Sequence, residues 1–458
     1  MITKEMNIHL SGFHENGRMR QKGTRQIKSL LQGYSLKKQE CLFHYGVSMK
    51  TRIEYAQAGI LTDEFRTLAQ QEHLTTDRIM SRIASGQMVI MERDGRICGI
   101  GTGLRTKVNV NIGTSDAKAC PEEEIKKAVI AEKYGADTLS ELSMGGQVGD
   151  IRARIAAVTM LPLTTVPIYE TAAKMGIQNM DEEAVIRTIA DHADEGISSM
   201  VLHTVQSSHI EKIREAGRIM GVVSKGGSIV ASYMNIHSAD NPFISRFDEI
   251  LDIFHEHDIV LSLGNTMRSG CIHDPRDPAQ EEELADNIRL ARKAREAGVQ
   301  TIIEWSGGHV RADIIAENVR YYKERSEFPL FIAGPLPIDT AVGHDHIAGC
   351  VGASLASGHG ADYLCYLTPS EHLGLPTPMQ VREGLIAFRI AASIGDSMKY
   401  GPSQEDRNLA RCRYDMDFEG QFRYAIDGQQ ARSIRGGTGP CTMCGDFCAI
   451  RLMNQIIR

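Results

Sequence analysis

Lys107-Val-Asn-Val-Asn-Ile112 is a short alternating run; a polar helical segment, Glu122–Tyr134, follows it, halts at Gly135 and leads into a second run, Thr138–Leu142. Runs of strand period separated by a helix predict parallel strands joined by a crossover. The same texture continues through Thr164–Ile168, Ser199–His203, Gly221–Val223, Ile259–Leu263, Thr301–Glu304, Leu330–Ala333 and Tyr363–Leu367. Glu281–Ala297 typifies the helices between, with Leu284, Ile288, Ala291 and Ala294 on one face and Gly298 as its stop. Such alternation means an α/β fold around a parallel sheet, closed or doubly wound. No G-x-G-x-x-G follows the first strand, and the length suits a (β/α)8 barrel. Nine strand candidates compete for eight places, so one is either an extra or a misread.

Outside the barrel, expected over 107–395, three segments read differently. Residues 1–48 are polar and weakly periodic, a loosely ordered lead-in. Residues 49–106 read as a small α+β domain. Thr62 before Asp63-Glu64 and Thr75-Thr76 before Asp77 are N-cap signals, Gly86 closes the last helix, and Met88–Met91 is a short strand. Residues 396–458 form a charged helical tail that ends in a cysteine loop. The 458 residues carry a net charge of −7 with Lys and Arg scattered, which gives no face for nucleic acid. No apolar run is long enough to span a bilayer, and the N-terminus lacks the apolar core of a signal peptide. Ten cysteines without a secretion signal point to a reducing cytoplasm.

Polar residues gather where the strands end: Asn109, Asn111, Ser140, Glu141, Tyr169, His203, Arg268, Glu304 and His309. Strand C-termini build the active sites of such barrels, so this pattern argues for an enzyme. Ser224-Lys225-Gly226-Gly227-Ser228 follows an apolar run and reads either as a phosphate cradle or as a plain Ser/Gly turn. His309 and His372, near Glu304 and Glu371, suit a divalent ion with open positions, or separate structural roles. Tyr169 and His203 either grip a substrate or cap local structure. Arg268 pairs with a phosphate or carboxylate, or with a surface acid. His344-Asp345-His346 looks like a metal fragment, but adjacent side chains diverge on most backbones.

Cys441, Cys444 and Cys448 sit on a Gly-flanked loop near the end of the chain. Three thiolates complete neither a tetrahedral zinc site nor a fully ligated cluster. They fit a [4Fe-4S] cluster with one iron open to S-adenosylmethionine, the source of a 5′-deoxyadenosyl radical once reduced. The other readings are a zinc knuckle completed by a distant His, as in a zinc or redox sensor on a non-catalytic barrel, and three unconnected thiols.

Taken in order, Lys107–Gly113, Val166-Pro-Ile-Tyr169, Ser224–Ile229, Ala333-Gly-Pro-Leu336, Leu364–Pro376 and the Cys-Thr-Met-Cys-Gly tail closely resemble the thiamin pyrimidine synthase family of radical S-adenosylmethionine enzymes. The resemblance runs from about residue 49 to the C-terminus. It implies a carbon–carbon lyase acting on 5-aminoimidazole ribotide, and a homodimer whose tails serve the partner's site. It also implies oxygen-sensitive, anaerobic chemistry and a reducing donor such as flavodoxin or ferredoxin. Asn111, Tyr169, His203, Ser224, Lys225, Gly226, Arg268 and Glu304 would contact the ribotide, with Glu304 and His203 managing protons. His309 and His372 would hold zinc or iron, and the three tail cysteines the cluster.

The departures from that family are specific. A substrate-contact Met is Ser140 here, Asp-Gly-Leu-Arg reads Asn265-Thr-Met-Arg268, and a site Tyr is Phe331. Glu-Gly-Pro-Gly-His becomes Glu304-Trp-Ser-Gly-Gly-His309, one residue longer and holding the only Trp, and the second and third cluster cysteines stand one residue closer. Losing a carboxylate and a phenol while keeping the phosphate, metal and cluster elements points to the same radical steered to another product. The expected branch is therefore 5-hydroxybenzimidazole synthesis for cobamide lower ligands. The alternative product is 4-amino-5-hydroxymethyl-2-methylpyrimidine phosphate.

Overall fold

The computed structural model describes residues 51–274, 276–437 and 441–457; the lead-in expected over 1–48 lies outside them. Three short helices, Arg52–Gln57, Asp63–Gln71 and Thr76–Ala84, open the described chain. Thr62 and Thr75 cap the second and third, accepting from the backbone N–H of Phe65 and Arg78. A hairpin follows, β1 (Met88–Arg93) and β2 (Arg96–Gly101), turning at Asp94-Gly95, both with positive φ. That dipeptide suits a two-residue hairpin loop. The sequence reading had only the first of these strands.

Eight parallel strands then close into a barrel: β3 (Lys107–Ile112), β4 (Thr138–Glu141), β5 (Leu163–Thr165), β6 (Ser199–Leu202), β7 (Val260–Leu263), β8 (Thr301–Glu304), β9 (Leu330–Ala333) and β10 (Tyr363–Cys365). The sheet closes where β10 pairs with β3, Tyr363 beside Lys107. Helices separate the strands and pack outside, among them Pro121–Lys133, Pro278–Glu296 and Pro378–Tyr400. Alternate strand residues face outward to a core shared with these helices, including Leu139, Leu163, Met200, Leu261 and Leu263.

The ninth strand candidate, Gly221–Val223, is irregular chain ahead of the helix Lys225–His237. Val222 packs against the core, but the segment lies within the long β6–β7 crossover and pairs with no strand. Gly221 is exposed and Val222 and Val223 are half-buried, so the apolar pair reflects partial packing rather than strand pairing. The run from Thr164 is also shorter than expected, because Pro167 starts the helix Pro167–Met175. The barrel boundary expected at Asp396 falls inside the helix Pro378–Tyr400, and Asp396 accepts from Thr106 N at 3.0 Å.

The hairpin is buried on both faces, which is why Met88-Val-Ile-Met91 shows no alternation. Met88 and Ile90 face Phe65, Leu68, Ile79 and Ile83 of the helices. Val89, Met91, Cys98 and Ile100 face into the barrel, against Val260, Ile302, Phe331 and Tyr363. Gln300 ties the edge of β1 down, its Oε1 accepting from Ile90 N at 2.8 Å. The hairpin is the floor of the barrel. After Tyr400 the tail continues as Gln404–Tyr414, Phe418–Tyr424, Gly428–Arg435 and Ala449–Ile457. Arg389 anchors it, donating to Ile426 O at 3.2 Å. Among the described residues, no helix is long and apolar enough to cross a membrane.

Ile100 is fully buried in the floor. Ile100→Ala should lower unfolding free energy by about 2–4 kcal/mol, read as a shift in the urea midpoint.

Candidate active site at the C-terminal end of the barrel

His203 follows β6 and is held between two glycines. A Cβ on Gly226 would fall 2.3 Å from its Cδ2, and one on Gly264 2.6 Å from its Nδ1. Both positions therefore need glycine for close approach of the backbone. Thr266 Oγ1 lies 3.2 Å from Nδ1 and Ser224 Oγ 3.4 Å. Burial, aided by the Arg268 charge, pushes the imidazole down to about 3. His203 is neutral at physiological pH.

Ser224 caps the helix Lys225–His237, accepting from Gly227 N at 3.2 Å. Lys225 Nζ stands 5.1 Å from the centre of the Tyr169 ring. Burial lowers the Lys225 pKa, with Glu371 opposing, and raises the Tyr169 phenol to about 12. The helix N-terminus, Lys225 and the guanidinium of Arg268 together favour an anion.

Glu304 ends β8, and Asn265 N donates to its carboxylate at 3.2 Å. Burial raises its pKa; the Arg268 charge and that N–H partly offset it. Asn265 is itself fixed by Glu283 of the helix Pro278–Glu296, Nδ2 to Oε2 2.8 Å, and Glu283 also accepts from Thr266 N and Met267 N. An Asp at 265 would set two buried carboxylates together, so the amide suits Glu283. Arg268 donates to Asn265 O at 2.9 Å. Its charge acts on Tyr169, His203, Glu304 and Glu371 alike, so a helix, a strand end and two loops bring these residues within reach of one cation.

The residue inserted before His309 does not separate the two candidate metal ligands. The His309 and His372 rings have their centroids 5.2 Å apart. Ser306 and Gly308 take positive φ, and Trp305 turns away from the mouth to stack on Tyr321 at 5.6 Å. Asp339 Oδ1 lies 2.7 Å from His309 Nδ1, which leaves Nε2 for a cation. His372 also has positive φ, and its Nδ1 is 3.7 Å from Asp345 Oδ1. Two imidazoles fit a divalent ion whose remaining positions go to water or substrate.

Inside the mouth, Asn111 Nδ2 lies 2.9 Å from Cys365 Sγ, and Ser140 Oγ donates to Asn109 Oδ1 at 3.1 Å. Phe331 is deeper, stacked 4.2 Å from Tyr363 in the layer that meets the hairpin. Cys365, Thr266, Glu283 and Asp339 were not among the site residues expected from sequence, whereas Asp345 belongs to the His344-Asp345-His346 fragment and meets His372 rather than its chain neighbours. Cys365 lies in an apolar run and reads as a hydrophobe; the others are loop or helix residues with no periodic signal.

Cys441, Cys444 and Cys448 sit on one turn, with Gly445 N donating to Cys441 O at 3.2 Å and Phe447 N to Cys444 O at 3.0 Å. The shortened spacing is taken up by a single 3-10 turn, Gly445–Phe447. Among the described residues, the one grouping of three metal-ligating side chains within 4.8 Å is His209, Glu282 and Asp286, remote from the cysteines in sequence. Its carboxylates are engaged by Lys212, Gln206 and Arg289, as befits a tie between two outer helices. Among the described residues the thiols of the three tail cysteines do not all lie within 4.8 Å of one another, so the preference for an open-iron cluster over a closed zinc site rests on the number of thiolates and not on their placement.

Residues 51–455 match the model of the Radical SAM ThiC family. The chain belongs to that family. A protein of Methanoregula boonei named phosphomethylpyrimidine synthase is 43% identical over 422 residues, covering 89% of this chain and 99% of its own. One of Methanocaldococcus jannaschii with the same name is 41% identical over 423 residues, covering 89% and 99%. A "Phosphomethylpyrimidine synthase 2" of Methanosarcina mazei is 41% identical over 422 residues, covering 88% and 98%. These relatives carry the pyrimidine name, the alternative product of the sequence reading, rather than the benzimidazole one. Membership in the family brings radical chemistry with S-adenosylmethionine and an iron–sulfur cluster.

With His203 held neutral down to about 3, the unfolded chain binds a proton below about pH 6.5 that the folded chain refuses. That stability is present above pH 6.5 and is lost as pH falls toward 3. Between pH 6 and 4 the stability advantage of wild type over His203→Gln should shrink by about 1.4 kcal/mol per pH unit, measured by urea unfolding.

Proposed function

We propose that this family member is a phosphomethylpyrimidine synthase, which rearranges 5-aminoimidazole ribotide to 4-amino-5-hydroxymethyl-2-methylpyrimidine phosphate. The observation that carries this reading is the gathering of Tyr169, His203, Glu304 and Glu371 around Arg268, beside a helix N-terminus and Lys225. Nearly full-length relatives bearing that name support it.

In this reading Lys225, Arg268 and the amides after Ser224 bind the phosphate. Asn111, Ser140, Tyr169, Gly226, Asn265 and Phe331 shape the pocket. Glu304, whose pKa burial raises, holds a proton for delivery, and neutral His203 accepts or donates one at its ring nitrogens. His309 and His372 hold zinc or iron and orient the substrate. Cys441, Cys444 and Cys448 hold the cluster. When bound, the cluster and S-adenosylmethionine supply one-electron chemistry that removes hydrogen from carbon. The barrel excludes water from reactive species. The tail exposes Met443, Phe447, Ile456 and Ile457, an apolar surface suited to a second copy of the chain. A low-potential donor such as flavodoxin or ferredoxin supplies the electron, under anaerobic conditions and in the cytoplasm.

Asn265 and Phe331 favour a second reading, 5-hydroxybenzimidazole as product. The Asn265 amide is spent on Glu283, and Phe331 brings no hydroxyl, so neither transfers a proton.

The deciding experiment is anaerobic reaction of the reconstituted protein with the ribotide, S-adenosylmethionine and dithionite, read by mass spectrometry. A phosphorylated pyrimidine is expected; a benzimidazole transfers the assignment to the second reading, and absence of both refutes the substrate. Cys441→Ala should abolish 5′-deoxyadenosine formation while circular dichroism shows a folded barrel. Full activity in that variant would remove the tail cysteines from the scheme.

A further inference from the structure

Four polar residues share one register row across the barrel. Asn111 on β3 pairs with Ser140 on β4, Ser140 with Thr164 on β5, and Thr164 with Ser199 on β6. Register partners on neighbouring strands face the same side of the sheet. Ser140 faces inward, its hydroxyl on Asn109. The intervening residues have the opposite sense: Leu163 and Met200 lie in the outer core, and Thr165 Oγ1 is 2.9 Å from His192 of the surrounding helix Glu182–Asp194. Thr164 and Ser199 therefore point into the barrel. The next partner in the row is Val260 on β7, part of the apolar floor. Since strands in a closed barrel tilt, the row descends from Asn111 at the mouth to Val260 at the floor.

Thr164 is 4% exposed and Ser199 0%, and among the described residues neither hydroxyl has a hydrogen-bond partner. Buried hydroxyls are nearly always paired, because an unpaired one forfeits its hydration. Two neighbours in one inward row thus form a place built for a hydrogen-bonding guest. Elsewhere in the interior, Phe331 stacked on Tyr363 offers a flat apolar surface suited to a planar ring.

We propose that Thr164 and Ser199 form the bottom of the substrate pocket and hydrogen-bond the nitrogen-bearing edge of a heterocycle that enters ring first. The inference rests on the ribotide reading: a phosphate held by Lys225 and Arg268 at the mouth leaves the ring directed down the row. A ring edge without donors or acceptors would leave both hydroxyls unpaired and be rejected.

The test uses the full-length protein, its Thr164→Val and Ser199→Ala variants, and 5-aminoimidazole ribotide as probe. Calorimetry gives affinity, and thermal unfolding without ligand gives the cost of each change. Each variant should bind about tenfold more weakly, while its ligand-free Tm equals or exceeds that of wild type, because an unpaired hydroxyl has been replaced by an apolar group. Binding by both variants within about twofold of wild type overturns the inference, and a lowered Tm alongside it assigns the hydroxyls to barrel packing. Wild-type protein that fails to bind the ribotide overturns the substrate reading and this inference together.

Discussion

Pairing of β10 with β3 is the interaction on which the rest of the molecule depends. It converts an open sheet, with two edges, into a barrel with none. Closure leaves an interior that must be filled, and the chain fills its two ends differently. Aromatic and aliphatic side chains meet the hairpin at one end. At this seam Lys107 is also buried, its ammonium 2.9 Å from Glu72, which follows the helix Asp63–Gln71. The small leading domain therefore both seals the floor and neutralises a charge that the first strand carries inside.

At the other end burial acts on ionisation. Lys225 and His203 are pushed toward their neutral forms, and so are Glu304 and Glu371. Removing water disfavours whichever form is charged, and no single partner reverses it. Lys225, Glu304 and Glu371, which would be ionised in water, are thus brought closer to proton exchange, while His203 is held neutral. An anion arriving there would stabilise the charged form of Lys225 at the moment of binding.

Much of this was legible in the sequence, for definite reasons. Barrel strands such as Thr301–Glu304 and Leu330–Ala333 end where expected, because the first runs into a polar Glu304 and the second into the turn pair Gly334-Pro335. Polar residues at strand ends stand out against apolar runs, so His203, Arg268 and Glu304 could be nominated before their surroundings were known. Gly221–Val223 misled because a short apolar pair, half-buried against the core, looks the same with or without a strand partner. The hairpin was half read because burial on both faces erases alternation, although Asp94-Gly95 marked its turn. Glu283 and Asp339 were invisible: each matters through a partner brought near only by the closed fold.

The loop after β8 shows how chain length and ligand position can be uncoupled. Ser306 and Gly308 use left-handed backbone, and Trp305 anchors the detour against Tyr321, so His309 still faces His372. The extra residue is spent on a bulge whose bulk is stored outside the mouth. A search that recognises such sites by fixed spacing between acid and imidazole would pass over this chain. Related sequences with insertions at the same point are better judged by whether they also carry a large aromatic residue to anchor the loop.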